Sequence, residues 1–329
     1  MTVKVAVLGL GSVGRGILEM VGSRDLGIVV TAVADSRSGV MNPAGIDIPA
    51  VLAAKKEKGL CGDPSIRAKD IIDRGEFDIL VEVTPTNAEN GEPALSYMKA
   101  ALAAGRHVVT SNKGPISRNL EELQRLAKEK GVLLRYEATV GGAIPIMHTL
   151  EHGLAGNRIL ALYGVLNGTC NYILTRMAAE GLTYDQALAE ARELGYAEAD
   201  PTYDVKGIDA AIKLVILTNT IWHRCASLDQ VDITGIDLLT TDALRLAEEK
   251  DCTIRLIAEA HPAKGVLRVS PRIIRKDHPL VFEGTLNAIT LEADMAGEIT
   301  LIGKGAGSVE TASAIIGDIL FISSYVRSN

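Results

Sequence analysis

Short runs of apolar and β-branched residues alternate with segments of helical periodicity over the first 140 residues of the chain. The runs predict strands, and the segments between them, in which apolar side chains recur three and four residues apart, predict helices. The predicted strands are Val3–Leu8, Val29–Ala34, Ile79–Thr84, His107–Ser111 and Val132–Glu137, and the predicted helices are Gly14–Val21, Pro93–Ala104 and Leu120–Lys130. Because these strands are apolar enough for burial on both faces, they indicate an α/β fold with a doubly wound parallel sheet.

After Val140 the pattern changes to helical stretches followed by strands that alternate with turns. The predicted helices are Tyr172–Glu180, Tyr184–Leu194, Gly207–Trp222 and, at the end of the chain, Ser308–Ser323. The predicted strands are Leu160–Leu166, Thr253–His261, Val266–Ile274, Ala288–Ala293 and Ile299–Ile302. This order predicts a second domain of the α+β class whose sheet is largely antiparallel.

Length and composition narrow the possible functions. The 329 residues suit two domains better than one, and 47% of them are hydrophobic. A net charge of −7 argues against nucleic-acid binding, because a protein that tracks phosphates is normally basic. No apolar run approaches the roughly 20 residues that a membrane span needs, and the first residues are typical of a strand and turn rather than of a signal segment. We therefore expect a cytoplasmic protein.

The cysteines do not indicate a metal site or a disulfide framework. They are widely scattered and lack metal-ligand spacing: Cys61, Cys170, Cys225 and Cys252. Cys170 lies in a Gly-Thr-Cys-Asn segment and could be a catalytic thiol, but no histidine neighbours it in sequence. A role as a reduced core thiol is therefore favoured.

A glycine-rich motif follows the first predicted strand directly and opens the first helix. It reads Gly9-Leu10-Gly11-Ser12-Val13-Gly14. In a Rossmann-like fold, glycines at these positions allow a tight turn, close approach of a pyrophosphate and close packing of helix on strand. An acidic residue, Asp35, ends the second strand about 20 residues further on, where such folds bind the ribose of a dinucleotide. The sequence therefore predicts a nicotinamide dinucleotide site.

The residues after the second strand bear on the choice between NAD and NADP. Asp35 favours NAD, because a carboxylate would repel a 2′-phosphate. Arg37 favours NADP, because a guanidinium can clamp that phosphate, and the cluster of Lys55, Lys56 and Lys58 could assist. The alternative is that these are solvated surface charges. We favour NADP, with NAD as the second choice.

Two polar segments are candidates for the chemistry. Lys113 lies at the carboxyl end of a predicted strand, just before Gly-Pro, where ligands of doubly wound sheets gather. Further on, Glu198, Asp200 and Asp204 fall within seven residues, an arrangement suited to an ammonium group but also typical of a solvated loop.

A third segment carries two opposite charges on a helix that is otherwise apolar. Asp209 and Lys213 are four residues apart and so share one face. A helix this apolar should be buried, and charges within it are costly unless they pair or serve a site. We therefore interpret the pair as functional.

These motifs, in this order, resemble those of homoserine dehydrogenases from the N-terminus to the last helix. The resemblance rests on Asn112-Lys113, Glu137-Ala138-Thr139-Val140-Gly141-Gly142, Asn167-Gly168-Thr169, Gly195-Tyr196-Ala197-Glu198-Ala199-Asp200-Pro201, Gly207-Ile208-Asp209-Ala210-Ala211-Ile212-Lys213 and Gly305-Ala306-Gly307. It implies reversible, NAD(P)H-dependent reduction of L-aspartate 4-semialdehyde to L-homoserine, on the route to threonine and methionine.

The resemblance also implies roles for individual residues. Lys213 would give the proton to the carbonyl oxygen, Asp209 would bind the substrate hydroxyl region, and Lys113 would lie beside the nicotinamide. The substrate would further be bound by Glu198, Asp204, Tyr196, Gly168 and Thr169. The cofactor would be bound by Gly9, Gly11, Ser12, Val13, Gly14, Asp35, Arg37, Thr84, Lys113, Gly195 and Gly305. A monovalent cation such as Na⁺ would be held by backbone carbonyls of Glu137, Val140, Gly142 and Ile144.

On the same grounds we expect a dinucleotide-binding domain at residues 1–138, completed by a C-terminal helix at 305–329, and a substrate-binding and dimerisation domain at 139–304. The expected protein is a homodimer of the short, monofunctional form, without a regulatory module. Two alternatives remain. Another NAD(P)-dependent semialdehyde dehydrogenase would need a cysteine nucleophile with a histidine base. A nicotinamide-sensing protein without chemistry would have no reason to bury Asp209 and Lys213.

Overall fold

A computed structural model describes residues 2–328 of the chain, which form two compact units. One unit contains the residues up to Ala143 together with those from Gly307 onward, and the other is Ile144–Ala306. The predicted domain boundaries, at 138/139 and 304/305, lie a few residues before these divisions. The predicted domain ends at residues 1 and 329 lie outside the described residues.

The first unit contains one sheet of six strands. Its strands are β1 (Val3–Leu8), β2 (Ile28–Ala34), β3 (Gly39–Met41), β4 (Ile79–Glu82), β5 (His107–Thr110) and β6 (Leu134–Arg135). They lie in the order β3-β2-β1-β4-β5-β6, and only the pairing of β2 with β3 is antiparallel. The predicted doubly wound parallel sheet is confirmed. The sequence pattern does not predict β3, because a strand of three residues is too short to show a period.

Five helices accompany this sheet along the chain: α1 (Ser12–Ser23), α2 (Ile48–Lys58), α3 (Ala68–Arg74), α4 (Ala94–Ala103) and α5 (Lys113–Lys130). The sequence pattern does not predict α2, in which only Val51 is buried, so that no apolar stripe marks it. The pattern does not predict α3 either, which has only seven residues. The prediction for α5 is wrong at its start, because Asn119 departs from helical geometry at φ −130° and interrupts the periodicity before Leu120.

The second unit contains a sheet that is antiparallel apart from one short edge. Its strands are β7 (Ile159–Val165), β8 (Asp232–Ile233), β9 (Cys252–His261), β10 (Val266–Arg275), β11 (Leu286–Ala293) and β12 (Gly297–Lys304). They lie in the order β12-β11-β7-β9-β10-β8, and only β8 pairs in parallel, with β10. The predicted α+β architecture is confirmed.

The helices of the second unit are α6 (Ile146–His148), α7 (Gly168–Glu180), α8 (Tyr184–Glu193), α9 (Thr202–Val205), α10 (Ile208–Trp222) and α11 (Thr241–Glu248). Helix α7 begins four residues before its predicted start, because Asn167 Oδ1 accepts a hydrogen bond from the backbone N–H of Cys170 and caps the helix. The first ten residues of α10 after Ile208, up to Thr218, are all buried, as its apolar sequence indicates.

The last helix, α12 (Ser308–Ser328), belongs to the first unit and packs on α1. A side chain at Gly16 would meet Ser308 and Ala312, so the glycine permits this close approach. By length and hydropathy the window Ser308–Arg327 could cross a membrane, so the prediction that no apolar segment reaches that length is wrong. One face of the helix nevertheless belongs to the core of the first unit, where Ala312, Ile315, Ile319 and Ile322 are buried, while Val309, Leu320 and Val326 are exposed.

Candidate active site

The turn between β1 and α1 has the geometry of a dinucleotide cradle. Gly9 has φ +104°, and a side chain on it would clash with the backbone of Val83. A side chain on Gly14 would clash with the carbonyl of Gly9, so this glycine permits close packing of helix on strand. Gly11 instead faces open space within 4 Å, which leaves its backbone accessible to a ligand. These residues fit a pyrophosphate at the N-terminus of α1.

The cradle lies at the point where the strand order of the sheet reverses. The chain runs outward on one side of β1 to β2 and on the other side to β4. In such sheets ligands bind beyond the carboxyl ends of the strands at this switch point. Gly9 follows β1 and Thr84 follows β4 there, and Val83 N–H donates to the carbonyl of Leu8 at 2.8 Å. Thr84 is half-buried at this edge.

The structure brings Asp35, Arg37 and Lys55 together at the end of β2. Asp35 Oδ2 lies 2.5 Å from Lys55 Nζ, and Asp35 Oδ1 accepts hydrogen bonds from the backbone N–H groups of Arg37 and Ser38. Arg37 and Lys55 both donate to the carbonyl of Gly59. Although burial raises the pKa of Asp35, the hydrogen bonds from Lys55, Arg37 and Ser38 together bring it below its ordinary value. The carboxylate is therefore ionised and neutralised by a lysine.

Lys113 is the first residue of α5 rather than part of a loop. Asn112 caps this helix, since its Oδ1 accepts a hydrogen bond from Gly114 N–H at 3.2 Å. A side chain on Gly114 would clash with the carbonyl of Asn87, so the start of the helix packs closely on the preceding loop. This cap and contact fix the backbone of Lys113 at the carboxyl edge of the parallel sheet.

In the second unit, Lys213 and Asp209 form a buried ion pair on α10. The ammonium lies 2.7 Å from Asp209 Oδ2 and donates to the carbonyl of Leu166 at 2.7 Å. Lys213 is 7% exposed and Asp209 9%. Asn287 also donates to the Leu166 carbonyl, at 2.8 Å. The ammonium is thus held by one carboxylate and one carbonyl oxygen at the end of β7.

Asn167 joins the two acids of this site, a link that the sequence pattern does not indicate. Its Nδ2 donates to Asp204 Oδ1 at 2.6 Å and to Asp209 Oδ2 at 3.1 Å. The Asn-Gly-Thr motif marks this residue in the sequence, but nothing in the local pattern shows that it reaches 37 and 42 residues ahead. Asp200 belongs to a different feature, since it accepts hydrogen bonds from Thr202 at the start of α9.

The remaining candidate substrate residues surround the start of α7. Thr169 Oγ1 donates to the carbonyl of Tyr196 at 2.7 Å, which ties this helix to the loop that carries Glu198. Glu198 and Tyr196 are exposed, and so is Gly195, with open space around it and φ +74°. Gly168 packs so closely on Thr285 that a side chain would clash with its carbonyl. Glu198 is therefore exposed to solvent, whereas Asp209 and Lys213 are buried.

Cys170 lies inside this part of the second unit and has the properties of a structural thiol. It is fully buried, and its Sγ donates a hydrogen bond to the carbonyl of Asp204 at 3.1 Å. Burial raises the pKa of the thiol well above its ordinary value. A thiol in this state is a poor nucleophile. The structural interpretation of Cys170 is therefore preferred over the catalytic one.

The candidate cation ligands and Gly305 have their own backbone contacts. The carbonyl of Glu137 accepts a hydrogen bond from Val140 N–H at 3.4 Å, and that of Ile144 accepts one from Ile146 N–H at 2.8 Å. Val140 and Gly142 are buried. Within residues 2–328 no group of three or more His, Cys, Asp or Glu side chains is placed to hold a metal ion. Gly305 packs directly on the side chain of Asn287, with no room for a Cβ.

Comparison with known proteins covers both units. Residues 9–137 match the family model described as homoserine dehydrogenase, NAD binding domain, and residues 145–320 match the model described as homoserine dehydrogenase. The homoserine dehydrogenase of Methanocaldococcus jannaschii is 39% identical over 97% of this chain and 98% of its own length. The NAD(+)-dependent homoserine dehydrogenase of Pseudomonas canavaninivorans is 36% identical over 97% and 96%.

One similar protein has been solved with a bound cofactor. A hyperthermophilic archaeal homoserine dehydrogenase in complex with NADPH is 30% identical, covers 99% of this chain and 98% of its own, and has a TM-score of 0.86. The full-length matches and the dinucleotide cradle agree. The chain therefore belongs to the homoserine dehydrogenase family, the NAD(P)-dependent oxidoreductases that act on a CH–OH group.

Proposed function

We propose that this enzyme reversibly reduces L-aspartate 4-semialdehyde to L-homoserine, within the synthesis of threonine and methionine, and that Lys213 is its proton donor. The observation that carries the proposal is the buried ammonium of Lys213, held at 2.7 Å from both Asp209 and the Leu166 carbonyl. Burying an ion pair in an apolar helix stabilises a fold weakly at best, so its presence favours a role in the reaction.

The chemistry requires a proton at one particular oxygen. When bound, the reduced nicotinamide supplies hydride to the aldehyde carbon. As negative charge grows on the carbonyl oxygen, an ammonium stabilises it and then transfers the proton that completes the alcohol. Asp209 and the Leu166 carbonyl orient Lys213 and keep it charged for this step. In the reverse direction Lys213 must first lose that proton.

The acids around this pair suit an amino-acid substrate. In our proposal Asp209 binds the hydroxyl region and Glu198 binds the α-ammonium group, with Asp204, Tyr196, Gly168 and Thr169 completing the contacts. Glu198 is exposed and makes no described bond to a cation, so its carboxylate is available to a positively charged ligand. Asn167 supports these roles, because it holds Asp204 and Asp209 together.

The first unit binds the cofactor in this proposal. The pyrophosphate lies over Gly9, Gly11, Ser12, Val13 and Gly14, with Thr84 and Lys113 at the nicotinamide end. The family resemblance adds Gly195 and Gly305 to the proposed cofactor residues. We propose a preference for NADP. Lys55 neutralises Asp35, which removes the repulsion that a free carboxylate would exert on a 2′-phosphate, and Arg37 and Lys55 together present two cations at the same place.

Further properties follow from the family. We propose domains at 1–138 with 305–329, and at 139–304, a homodimer formed through the sheet of the second unit, and a cytoplasmic location. The exposed apolar side chains Ile273, Met295 and Ile302 on that sheet and its turns support the dimer. We also propose that the carbonyls of Glu137, Val140, Gly142 and Ile144 bind Na⁺ or a similar cation.

The function is tested by supplying the purified protein with L-aspartate 4-semialdehyde and NADPH or NADH and following the loss of absorbance of the reduced cofactor. Lys213→Ala should lose at least about a hundredfold in kcat, the range of general acid catalysis. Lys206→Ala is the matched control, because Lys206 also makes an ion pair, with Asp237, but its side chain is 54% exposed. Equal activity of the two variants would contradict the proposed role of Lys213. Inactivity of the wild-type protein would contradict the proposed substrate.

A further inference from the structure

Glu82, a residue with no role in the proposed mechanism, is a fully buried carboxylate at the end of β4. Its Oε1 accepts hydrogen bonds from both the backbone N–H of Thr84, at 2.9 Å, and the hydroxyl of Thr84. Thr110 Oγ1 lies 2.9 Å from the backbone carbonyl oxygen of Glu82 and 3.3 Å from Glu82 Oε2, so its one hydrogen is shared between these two acceptors. Buried carboxylates are costly, so one that is kept at the ligand-binding edge of the sheet calls for a function.

These contacts close into a ring across the ends of β4 and β5. Thr110 Oγ1 accepts a hydrogen bond from Asn112 N–H at 2.9 Å, and Asn112 Nδ2 donates to the carbonyl of Thr84 at 3.2 Å. Glu82 and Thr110 are directly paired in register. The ring therefore joins the loop after β4 to the residue that caps α5 and precedes Lys113.

The ring fixes the hydrogen-bonding polarity of Thr84. A hydroxyl has one hydrogen, and in Thr84 that hydrogen is donated to Glu82 Oε1. The Thr84 N–H is donated to the same oxygen. No described group donates to Thr84 Oγ1, so its lone pairs remain available. Toward a ligand this side chain can only accept hydrogen bonds.

The polarity does not depend on the ionisation state of Glu82. Burial raises the pKa of Glu82, while the hydrogen bonds from Thr84, Asn112 and Thr110 lower it in part. A proton bound at Oε2 would leave the two hydrogen bonds from Thr84 to Oε1 in place, because the Thr110 hydroxyl can donate to the backbone carbonyl of Glu82 instead. Thr84 would still donate to Oε1. A glutamine at this position could keep the same arrangement, with its carbonyl oxygen at Oε1.

In the proposed function Thr84 contacts the nicotinamide end of the cofactor, and its place in the fold is compatible with that contact. Thr84 follows β4 at the switch point, across from the Gly9 turn, where the dinucleotide is expected. A nicotinamide carboxamide carries an NH₂ group that needs an acceptor, whereas the carboxylate of a nicotinic acid ring has no hydrogen to donate near neutral pH. An obligate acceptor therefore favours the amide.

We propose that Glu82 is a positioning residue that makes Thr84 an obligate acceptor, and that the pair selects the carboxamide of the nicotinamide ring. This rests on the proposed contact between Thr84 and the cofactor. The pair acts only on the nicotinamide end, so it leaves the adenosine end of the cofactor unaffected.

The test measures dissociation constants for two ligands, NADPH and 2′-phospho-ADP-ribose, which lacks the ring. Glu82→Met should raise the dissociation constant for NADPH by about tenfold, as expected for the loss of one hydrogen bond in a binding site. The dissociation constant for 2′-phospho-ADP-ribose should stay within about twofold of the wild-type value. Glu82→Gln should restore NADPH binding to within about twofold of wild type. Thr31→Val is the control for a lost buried hydrogen bond in the same sheet, since Thr31 Oγ1 bonds to the Glu76 carbonyl. It should change neither constant.

A third ligand tests selection directly. The wild-type protein should bind the nicotinic acid analogue of NADP at least about tenfold more weakly than NADP itself, and Glu82→Met should reduce that ratio toward one. If Glu82→Met weakens both NADPH and 2′-phospho-ADP-ribose equally, or if Glu82→Gln behaves like Glu82→Met, the positioning role is wrong. If Glu82→Met does not fold, the proposal is decided by Glu82→Gln and Thr84→Val. Thr84→Val should then weaken NADPH alone.

These outcomes are separate from those of the proposed reaction. Binding constants are measured without substrate, so they stand even if L-aspartate 4-semialdehyde is not reduced. Loss of activity in Lys213→Ala together with unaltered binding in Glu82→Met would support the reaction and overturn this inference.

Discussion

The carboxylate of Asp318 in the last helix accepts hydrogen bonds from the guanidinium of Arg135, at 3.2 Å, and from the backbone N–H of Glu137, at 3.0 Å. Its carboxylate is 0% exposed, and the Arg135 guanidinium also lies 4.3 Å from the centre of the Phe321 ring. The pair joins residues that are 183 positions apart and ties α12 to the end of the parallel sheet. It explains how an apolar helix carries a charge within its buried face.

Asp318→Asn should therefore destabilise the protein strongly. Removing one charge of a buried pair costs about 3–5 kcal/mol, because the remaining ion stays desolvated. The midpoint of thermal unfolding should fall by several degrees. The control is Asp294→Asn, since Asp294 pairs with Arg158 at 2.8 Å while the arginine side chain is 86% exposed. That change should cost less than about 1 kcal/mol. Equal midpoints for the two variants would contradict this account of α12.

Asn167→Ala should impair the reaction without affecting the cofactor. The substitution removes the amide that bonds to Asp204 and Asp209, so the two carboxylates lose their common donor. Hydrogen bonds to charged groups contribute about 1.5–3 kcal/mol, so kcat/KM for homoserine should fall by about ten- to a hundredfold. The dissociation constant for NADPH should stay unchanged. Asn171→Ala is the control, because Asn171 is buried on the same helix but bonds to Phe282 and Gly284 instead. A comparable loss in both variants would point to general damage.

Lys55→Ala should shift the cofactor preference toward NADH. Without this lysine Asp35 loses its partner at 2.5 Å, and its carboxylate then opposes a 2′-phosphate. Because NADPH loses a charge-assisted contact with its 2′-phosphate, its dissociation constant should rise about tenfold or more. The dissociation constant for NADH should change little. Lys56→Ala is the matched control, since Lys56 is exposed and makes no described ion pair. Titration of protein fluorescence with each cofactor gives the constants. Equal weakening of NADPH and NADH would contradict the assignment.

The sequence predicts the two sheets and the buried charges well, because both depend on local pattern. Alternating apolar runs mark the parallel strands, and an apolar helix with two charges four residues apart marks Asp209 and Lys213. The start of α5 and the whole of α2 are missed, since a kink at Asn119 and a mostly exposed helix leave no clear period.

Long-range partners could not be predicted from the sequence. Asn167 and Asn287 act through contacts with residues that are distant in sequence, such as the bond from Asn287 to Leu166 over 121 positions, and Glu82 contacts Thr110 over 28 positions. The pairing of Lys55 with Asp35 likewise depends on where α2 packs after a segment without strand or helix signals. Single-sequence patterns identify which residues carry charge, and tertiary structure decides which of them meet.

The pH dependence of homoserine oxidation tests the central claim, that Lys213 exchanges the proton with the substrate oxygen. Oxidation requires neutral Lys213, while Asp209 and the Leu166 carbonyl hold it as the ammonium. The kcat for oxidation should therefore rise from neutral to alkaline pH along a single ionisation, and Lys213→Ala should lose both that rise and about a hundredfold or more in rate. If Lys213→Ala keeps the same alkaline rise as the wild-type enzyme, another group moves the proton and the claim is wrong.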